Sequence, residues 1–137
     1  MRLLVSVFLS LFLMAGCVKV DIRPGPSQDT LIAQAYQNQT SDIVVEVGGV
    51  VTRTLADDLS GSRHQRFILR LESGQTLLVA HNIDIAPRID GLKAGDAVSL
   101  RGEYEWNDKG GVIHWTHRDP QGRRPEGWIR HEGRTYR

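Results

Sequence analysis

The segment Ala97–Trp106 (AVSLRGEYEW) carries the clearest two-residue periodicity in the chain. Its apolar positions are Val98, Leu100, Gly102, Tyr104 and Trp106, and its polar positions are Ser99, Arg101, Glu103 and Glu105. Such alternation is typical of a strand with one buried and one polar face. The turn-forming residues Asn107–Gly110 follow, and Gly111–Thr116 is again rich in β-branched and aromatic residues. The sequence therefore predicts a β-hairpin, which constrains the rest of the chain to a β-rich fold.

The same pattern sets the register of the hairpin. Placing Trp106 opposite Gly111 gives the further pairs Tyr104 with Ile113, Glu103 with His114, and Gly102 with Trp115. A slip by one residue would place Tyr104 opposite His114 and mix apolar with polar side chains. In this register Trp106 and Trp115 are expected in the core, with Gly102 making room for the indole. The Glu103 carboxylate is expected to raise the pKa of His114.

The remaining segments predict a small barrel. Strands are expected at Asp42–Leu55 (with a bulge or a sharp coil at Gly48-Gly49), His64–Glu72 and Gln75–His81, after a short helix Leu31–Gln37 capped by Asp29-Thr30. We therefore expect an all-β fold with small α content, a five-stranded antiparallel barrel of the oligonucleotide/oligosaccharide-binding (OB) type with one short N-terminal helix. The phrase Gly95-Asp96-x-Val98-x-Leu100-x-Gly102 is similar to many OB barrels. A small β-sandwich is the alternative, and it normally needs seven strands or more.

The N-terminus has the layout of an export signal. Met1-Arg2 is followed by the apolar run Leu3–Met14 and by Ala15-Gly16, which predicts a signal peptide over residues 1–16. Leu13–Cys17 resembles the lipobox of bacterial lipoproteins, which implies lipidation of Cys17 and anchoring in a lipid bilayer through its acyl chains. Residues 17–28 are then a linker, and residues 29–137 form the domain with an arginine-rich C-terminal extension. In that extension Trp128-Ile129 is expected to fold back onto the barrel.

The lipobox resemblance also implies a location. Residue 18 is valine rather than aspartate, which implies sorting to the outer membrane, with the domain in the periplasm of the cell envelope. A free or dimer-forming thiol near a simple signal peptide is the alternative interpretation of Cys17.

Charge argues against a general nucleic-acid binder. Cleavage after residue 16 removes one of the 17 basic residues and none of the 16 acidic ones, so the mature chain carries no formal net charge. Nucleic acid is therefore not an expected partner. The last 20 residues contain six arginines and three acids, which indicates either a solvated extension or a patch for an anionic ligand.

Histidine is the residue type that most suggests a site, and four positions are candidate metal ligands: His64, His81, His114 and His117. A transition metal such as zinc is a possible cofactor, although no motif such as HExxH or CxxC is present. On a strand, His114 and His117 point to opposite faces, so they cannot share one metal unless the strand breaks between them.

Two classes of function fit these residues. The first is a non-enzymatic binding module for a small anionic ligand or an envelope protein. Its expected ligand-binding residues are His64, Arg66, His81, Asn82, Arg88, Glu103, His114 and His117. The second is a metal-dependent or His/Glu hydrolase of nuclease-like type, with His114, Glu103 and His64 as candidate catalytic residues. The first class is the preferred one.

Three segments together resemble one bacterial family. They are Gly61–Phe67 (GSRHQRF), Ala80–Arg88 (AHNIDIAPR) and Gly102–Pro120 (GEYEWNDKGGVIHWTHRDP). They resemble the family catalogued as domain of unknown function 3465, over about Leu31 to Tyr136. The resemblance implies a small exported protein, often a lipoprotein, and it implies no particular reaction.

Overall fold

The structure, a computed structural model, describes residues 27–137. The expected signal peptide, the lipidation site Cys17 and nearly all of the linker lie outside the described residues. The elements are α1 (Gln28–Gln37), β1 (Ile43–Asp58), β2 (His64–Leu71), β3 (Thr76–Asn82), β4 (Ala97–Glu105), β5 (Val112–His114), β6 (Trp128–His131) and β7 (Arg134–Tyr136). The protein is thus mostly β with one short helix, as the sequence predicts. The described residues contain no helix long and apolar enough to cross a bilayer.

The helix begins earlier than expected. Its N-cap is Ser27, whose hydroxyl accepts a hydrogen bond from the backbone N–H of Thr30, and Asp29 lies in the first turn. Ile32 and Ala35 are the buried residues of the helix. At ten residues the helix depends on this packing rather than on intrinsic propensity.

The strands form one seven-stranded mixed sheet in the order β1-β2-β3-β5-β4-β6-β7, and β1 also pairs with β4. That additional pairing closes β1, β2, β3, β5 and β4 into a ring. The expectation of five purely antiparallel strands is wrong on two counts. The hairpin β6–β7 adds two strands, and β3 pairs with β5 in parallel. The sandwich alternative needs two separate sheets, whereas the described strands belong to a single sheet.

Strand β1 can pair with two neighbours because it is long. Its first half runs antiparallel to β4, from Ile43 to Val50, and its second half runs antiparallel to β2, from Gly49 onward. Gly49 lies where the two pairings overlap, and a Cβ there would stand 2.4 Å from the carbonyl oxygen of Arg70. The bulge predicted at Gly48-Gly49 instead occurs further along, where the register shifts between Val51 and Arg53 and again before Asp58.

The hairpin β4–β5 has the predicted register, with Glu103 opposite His114 and Tyr104 opposite Ile113. Asn107 builds the turn, because its side-chain oxygen accepts hydrogen bonds from the N–H groups of Lys109 and Gly111. The core inside the ring includes Val45, Val51, Phe67, Leu69, Val79, Leu100, Tyr104, Ile113 and Ile129. As predicted, Trp128-Ile129 returns to the sheet, where Ile129 pairs with Leu100. Residues 27–137 thus supply a helix, seven strands and a contiguous hydrophobic core.

Candidate functional site

Five of the eight predicted ligand-binding residues lie on one outer face of the sheet. We call this set the polar face: His64, Arg66, Asn82, Glu103 and His114. The strand register places them together, as Cα partners or as neighbours in adjoining rows. His64 is paired with Asn82, Arg66 with Ala80, and Glu103 with His114. In the parallel pairing of β3 with β5, Val79 is the partner of Ile113, so Ala80 and His114 each follow a paired residue.

Alternation along the strands keeps this face outside the ring. The intervening residues Gln65, Phe67 and Val79 are buried, whereas His64 and Arg66 are half-buried. A half-buried polar side chain is partly desolvated and still reachable by a ligand, which suits binding better than a fully solvated one.

The polar face is rich in hydrogen-bond donors. The guanidinium of Arg66 donates from Nε and Nη2 to the carbonyl oxygen of Ala56, at 3.1 and 3.0 Å. His64 Nδ1 lies 2.8 Å from the carbonyl oxygen of Ser62, and Asn82 Oδ1 accepts from the N–H of Asp84. These contacts fix the side chains through one edge each. The remaining donors are Nη1 of Arg66 and the amide NH₂ of Asn82, whereas Nε2 of the neutral His64 ring is an acceptor because Nδ1 carries the proton.

His114 differs from its expected state. Its Nε2 lies 3.2 Å from a carboxylate oxygen of Glu105. Glu105 is two residues beyond Glu103, the cross-strand partner of His114, on the same strand. Burial of the imidazole lowers the pKa of His114, and this outweighs the opposing effect of the Glu105 and Glu103 carboxylates. The expectation of a raised pKa is therefore wrong in direction, because the ring is desolvated by the sheet around it.

Glu103 is engaged by Arg124, a residue that the sequence did not single out. Arg124 Nη1 lies 2.5 Å from Glu103 Oε2, and its guanidinium stacks over the Trp115 ring at 4.2 Å from the ring centre. Among the candidate catalytic residues, Glu103 thus binds Arg124 while His114 binds Glu105. The hydrogen bond between Glu103 and His114 that the hydrolase alternative needs is replaced by two other contacts.

Trp115 does not lie in the core opposite Gly102, as expected. Its φ of 55° is left-handed, an uncommon conformation for a bulky residue, and it ends β5 after His114. The alternation breaks there, so Thr116 rather than Trp115 turns inward and packs against Gly102. Trp115 instead packs against the guanidinium of Arg124, and the centre of its ring is 5.4 Å from the centre of the His117 ring.

His81 and His117 are buried rather than on the polar face. His81 Nδ1 lies 2.8 Å from the hydroxyl of Thr116, and its Nε2 lies 3.1 Å from the carbonyl oxygen of Pro87. Burial lowers the pKa of His81 to about 4. His117 Nδ1 contacts the carbonyl oxygen of Arg118 at 2.7 Å.

Arg88, the remaining predicted residue, forms an ion pair with Asp57. Neither His81 nor His117 belongs to the polar face, because both side chains are buried, and Arg88 is engaged by the carboxylate of Asp57.

The candidate metal ligands His64, His81, His114 and His117 do not converge. Within residues 27–137, the one group of three potential ligands whose donor atoms lie within 4.8 Å of one another is Asp96, His131 and Glu132. In that group His131 Nε2 is already 2.8 Å from Asp96 Oδ2, and the same carboxylate accepts from the N–H and ammonium of Lys93. These bonds tie the β3–β4 loop to the end of β6.

Comparison with known proteins gives one match. A family model described as "Protein of unknown function (DUF3465)" matches residues 14–137, nearly the whole chain, which confirms the resemblance carried by the three segments. No curated protein sequence matches the chain significantly.

Proposed function

The chain belongs to the DUF3465 family, and we propose that it is a non-enzymatic binding module of OB type that takes a small anionic ligand on its polar face. The ring supports the OB assignment. Strands β1, β2, β3, β5 and β4 follow one another around it, and β4 returns to β1. A five-stranded barrel with this kind of closure binds ligands on its β2–β3 face, where His64, Arg66 and Asn82 lie here.

One observation carries the choice of ligand: the free edges of Arg66 and Asn82 are both donors, gathered on one half-buried face. Such a surface matches a ligand rich in acceptor oxygens, and a guanidinium favours a carboxylate or a phosphate. Arg66 is held in place through Ala56 before a ligand arrives, so little conformational entropy is lost on binding.

We further propose that the module is a lipoprotein. Cys17 directly follows the apolar run and the lipobox-like residues Leu13–Gly16. Acylation of Cys17 would hold the domain at the periplasmic face of the outer membrane. Mass spectrometry of the mature N-terminus tests this proposal. We expect a chain that starts at an acylated Cys17, and an unmodified cysteine would overturn the anchoring.

The ligand proposal is tested by titrating residues 27–137 with small anions, using inorganic phosphate and citrate as probes. Heteronuclear NMR should show shifts of the Arg66, Asn82 and His114 amides, and Arg66→Gln should weaken binding about tenfold. Arg53→Gln is the matched control, because Arg53 is an exposed arginine on β1 outside the polar face. Equal loss in both variants would mean that only net charge matters, and the polar face would not be the site.

A further inference from the structure

A second charged surface lies on the outer side of β4, β6 and β7. Arg101 pairs with Trp128 and Ser99 with Arg130, and Arg130 pairs in turn with Thr135. Their neighbours Leu100 and Ile129 point inward to the core, so these side chains point outward. Six of the residues on this side line an open groove of about 430 Å³. We call it the arginine groove: Arg101, Glu126, Trp128, Arg130, Thr135 and Arg137.

Two of its three arginines are free of carboxylates. Arg137 is 2.6 Å from Glu126, which also holds Arg118. The ion pairs among residues 27–137 include neither Arg101 nor Arg130. The guanidinium carbon of Arg130 lies over the ring of Trp128, 4.1 Å from the ring centre, and this cation–π contact holds the side chain in the groove.

The domain begins beside this groove. The side-chain oxygen of Gln28, the first residue of α1, accepts a hydrogen bond from the N–H of Glu46. Glu46 is the β1 partner of Arg101. Gln28 and Arg101 also line one cavity of about 500 Å³. The first residue of α1 therefore lies beside Arg101, on the side of the domain that carries the groove.

We infer that the arginine groove binds the phosphate groups of anionic lipid headgroups and sets the orientation of the domain on the membrane. The inference rests on the proposed anchoring, because a short tether beginning beside the groove keeps that face near the bilayer. Residues 17–26 span at most roughly 35 Å when fully extended. Arginines within a Debye length of a negatively charged leaflet are attracted to it, and Arg matches phosphate geometry.

The groove fits lipid phosphates better than a nucleic acid. Base stacking on a protein needs exposed aromatic rings. Here Trp128 is buried and Arg130 stacks on its ring. The Trp115 ring is likewise covered by the guanidinium of Arg124. What the surface offers is guanidinium groups, which bind phosphate without regard to what the phosphate carries.

Co-sedimentation with lipid vesicles tests the groove. Residues 27–137, which lack Cys17, are mixed with phosphatidylcholine vesicles that contain or omit phosphatidylglycerol. We expect binding to the anionic vesicles alone, with a decline as salt increases. Arg101→Gln combined with Arg130→Gln should lower the bound fraction about tenfold or more. The same two positions changed to lysine should retain most of the binding.

The matched control is Arg53→Gln combined with Arg70→Gln, which removes the same charge from exposed positions on β1 and β2. Thermal unfolding of every variant shows whether it remains folded. Equal loss in the control, or equal binding to neutral vesicles, overturns the inference. So does binding of inorganic phosphate to the groove with no binding to vesicles, because the ligand is then a free anion. Because Cys17 is absent, a negative result concerns the groove and leaves the anchoring to the mass measurement.

Discussion

His81 shows how one buried side chain can make stability depend on pH. Its imidazole is fully buried, both ring nitrogens have partners, and burial lowers its pKa from 6.5 to about 4. As the pH falls below 6.5, His81 becomes protonated in the unfolded chain. In the folded chain it stays neutral until the pH approaches about 4. Stability should therefore fall as the pH drops through this window, by about 3 kcal/mol in all.

Urea unfolding between pH 7 and pH 4.5 measures this effect. His81→Gln should flatten the pH dependence, and the lowered pKa of His114 should leave a smaller slope of the same sign. Thr116→Val is the control, since it removes the hydroxyl partner without removing a titrating group. It should lower the free energy of unfolding by a similar amount at every pH. If the free energy of unfolding of His81→Gln changed with pH as much as that of the unchanged protein, other groups would carry the pH dependence.

Trp115 marks how far the sequence could predict the site at the level of residues. The two-residue alternation correctly placed Glu103 opposite His114, because both lie inside regular strand. It failed one residue later, because the left-handed φ of Trp115 ends the strand and periodicity carries no information about such a break. Arg124 was missed for a similar reason, since it reaches Glu103 from an irregular loop 21 residues away in sequence.

At the scale of elements, the close approach of β4 and β5 depends on Gly102. A Cβ at this position would lie 2.5 Å from the carbonyl oxygen of His114 and 2.7 Å from Cγ2 of Ile113. Gly102→Ala should therefore lower the free energy of unfolding by about 1–3 kcal/mol, as overpacking does elsewhere. Thermal or urea unfolding measures the change.

Gly48 on β1 provides the matched comparison. A Cβ there would lie 3.7 Å from the carbonyl oxygen of Val98, an ordinary contact. Gly48→Ala should be neutral or stabilise the protein by about 0.5 kcal/mol, because alanine restricts the unfolded chain. If Gly102→Ala were as well tolerated as Gly48→Ala, the close approach of β5 to β4 would not depend on a glycine at position 102.

The strands missed from the sequence were the short ones. Long alternating segments predicted β1 to β4 and the start of β5, whereas β6 and β7 have only four and three residues. The signal that could have found them is Glu132-Gly133 between Ile129–His131 and Arg134–Tyr136. Both turn residues have positive φ, as the type I′ turn of a two-residue hairpin requires. The parallel pairing of β3 with β5 had no local signal, because it follows from closing the ring.

At the scale of the whole molecule, the C-terminal hairpin is part of the same core as the ring. Strand β4 pairs on one edge with β1, and on the other with β6 and then β5. Ile129 and Tyr136 of the hairpin belong to the core cluster that also contains Leu100. The arginine groove on the outside of β6 is therefore held as rigidly as the polar face, and the two surfaces should be lost together on unfolding.

Replacing one buried and one exposed isoleucine by alanine tests whether the hairpin and the ring unfold together. Ile129 is fully buried, so Ile129→Ala should lower the free energy of unfolding by about 2–5 kcal/mol through lost contacts and a cavity. Ile85 is 43% exposed, and Ile85→Ala should change the free energy of unfolding by about 0.5 kcal/mol or less. Urea unfolding followed by both circular dichroism and tryptophan fluorescence should give one coincident transition for each variant. Because the core is shared, Ile129→Ala should lower the urea midpoint by the same amount in circular dichroism and in fluorescence. If one of the two signals were lost at a lower urea concentration than the other, β6–β7 would unfold on its own.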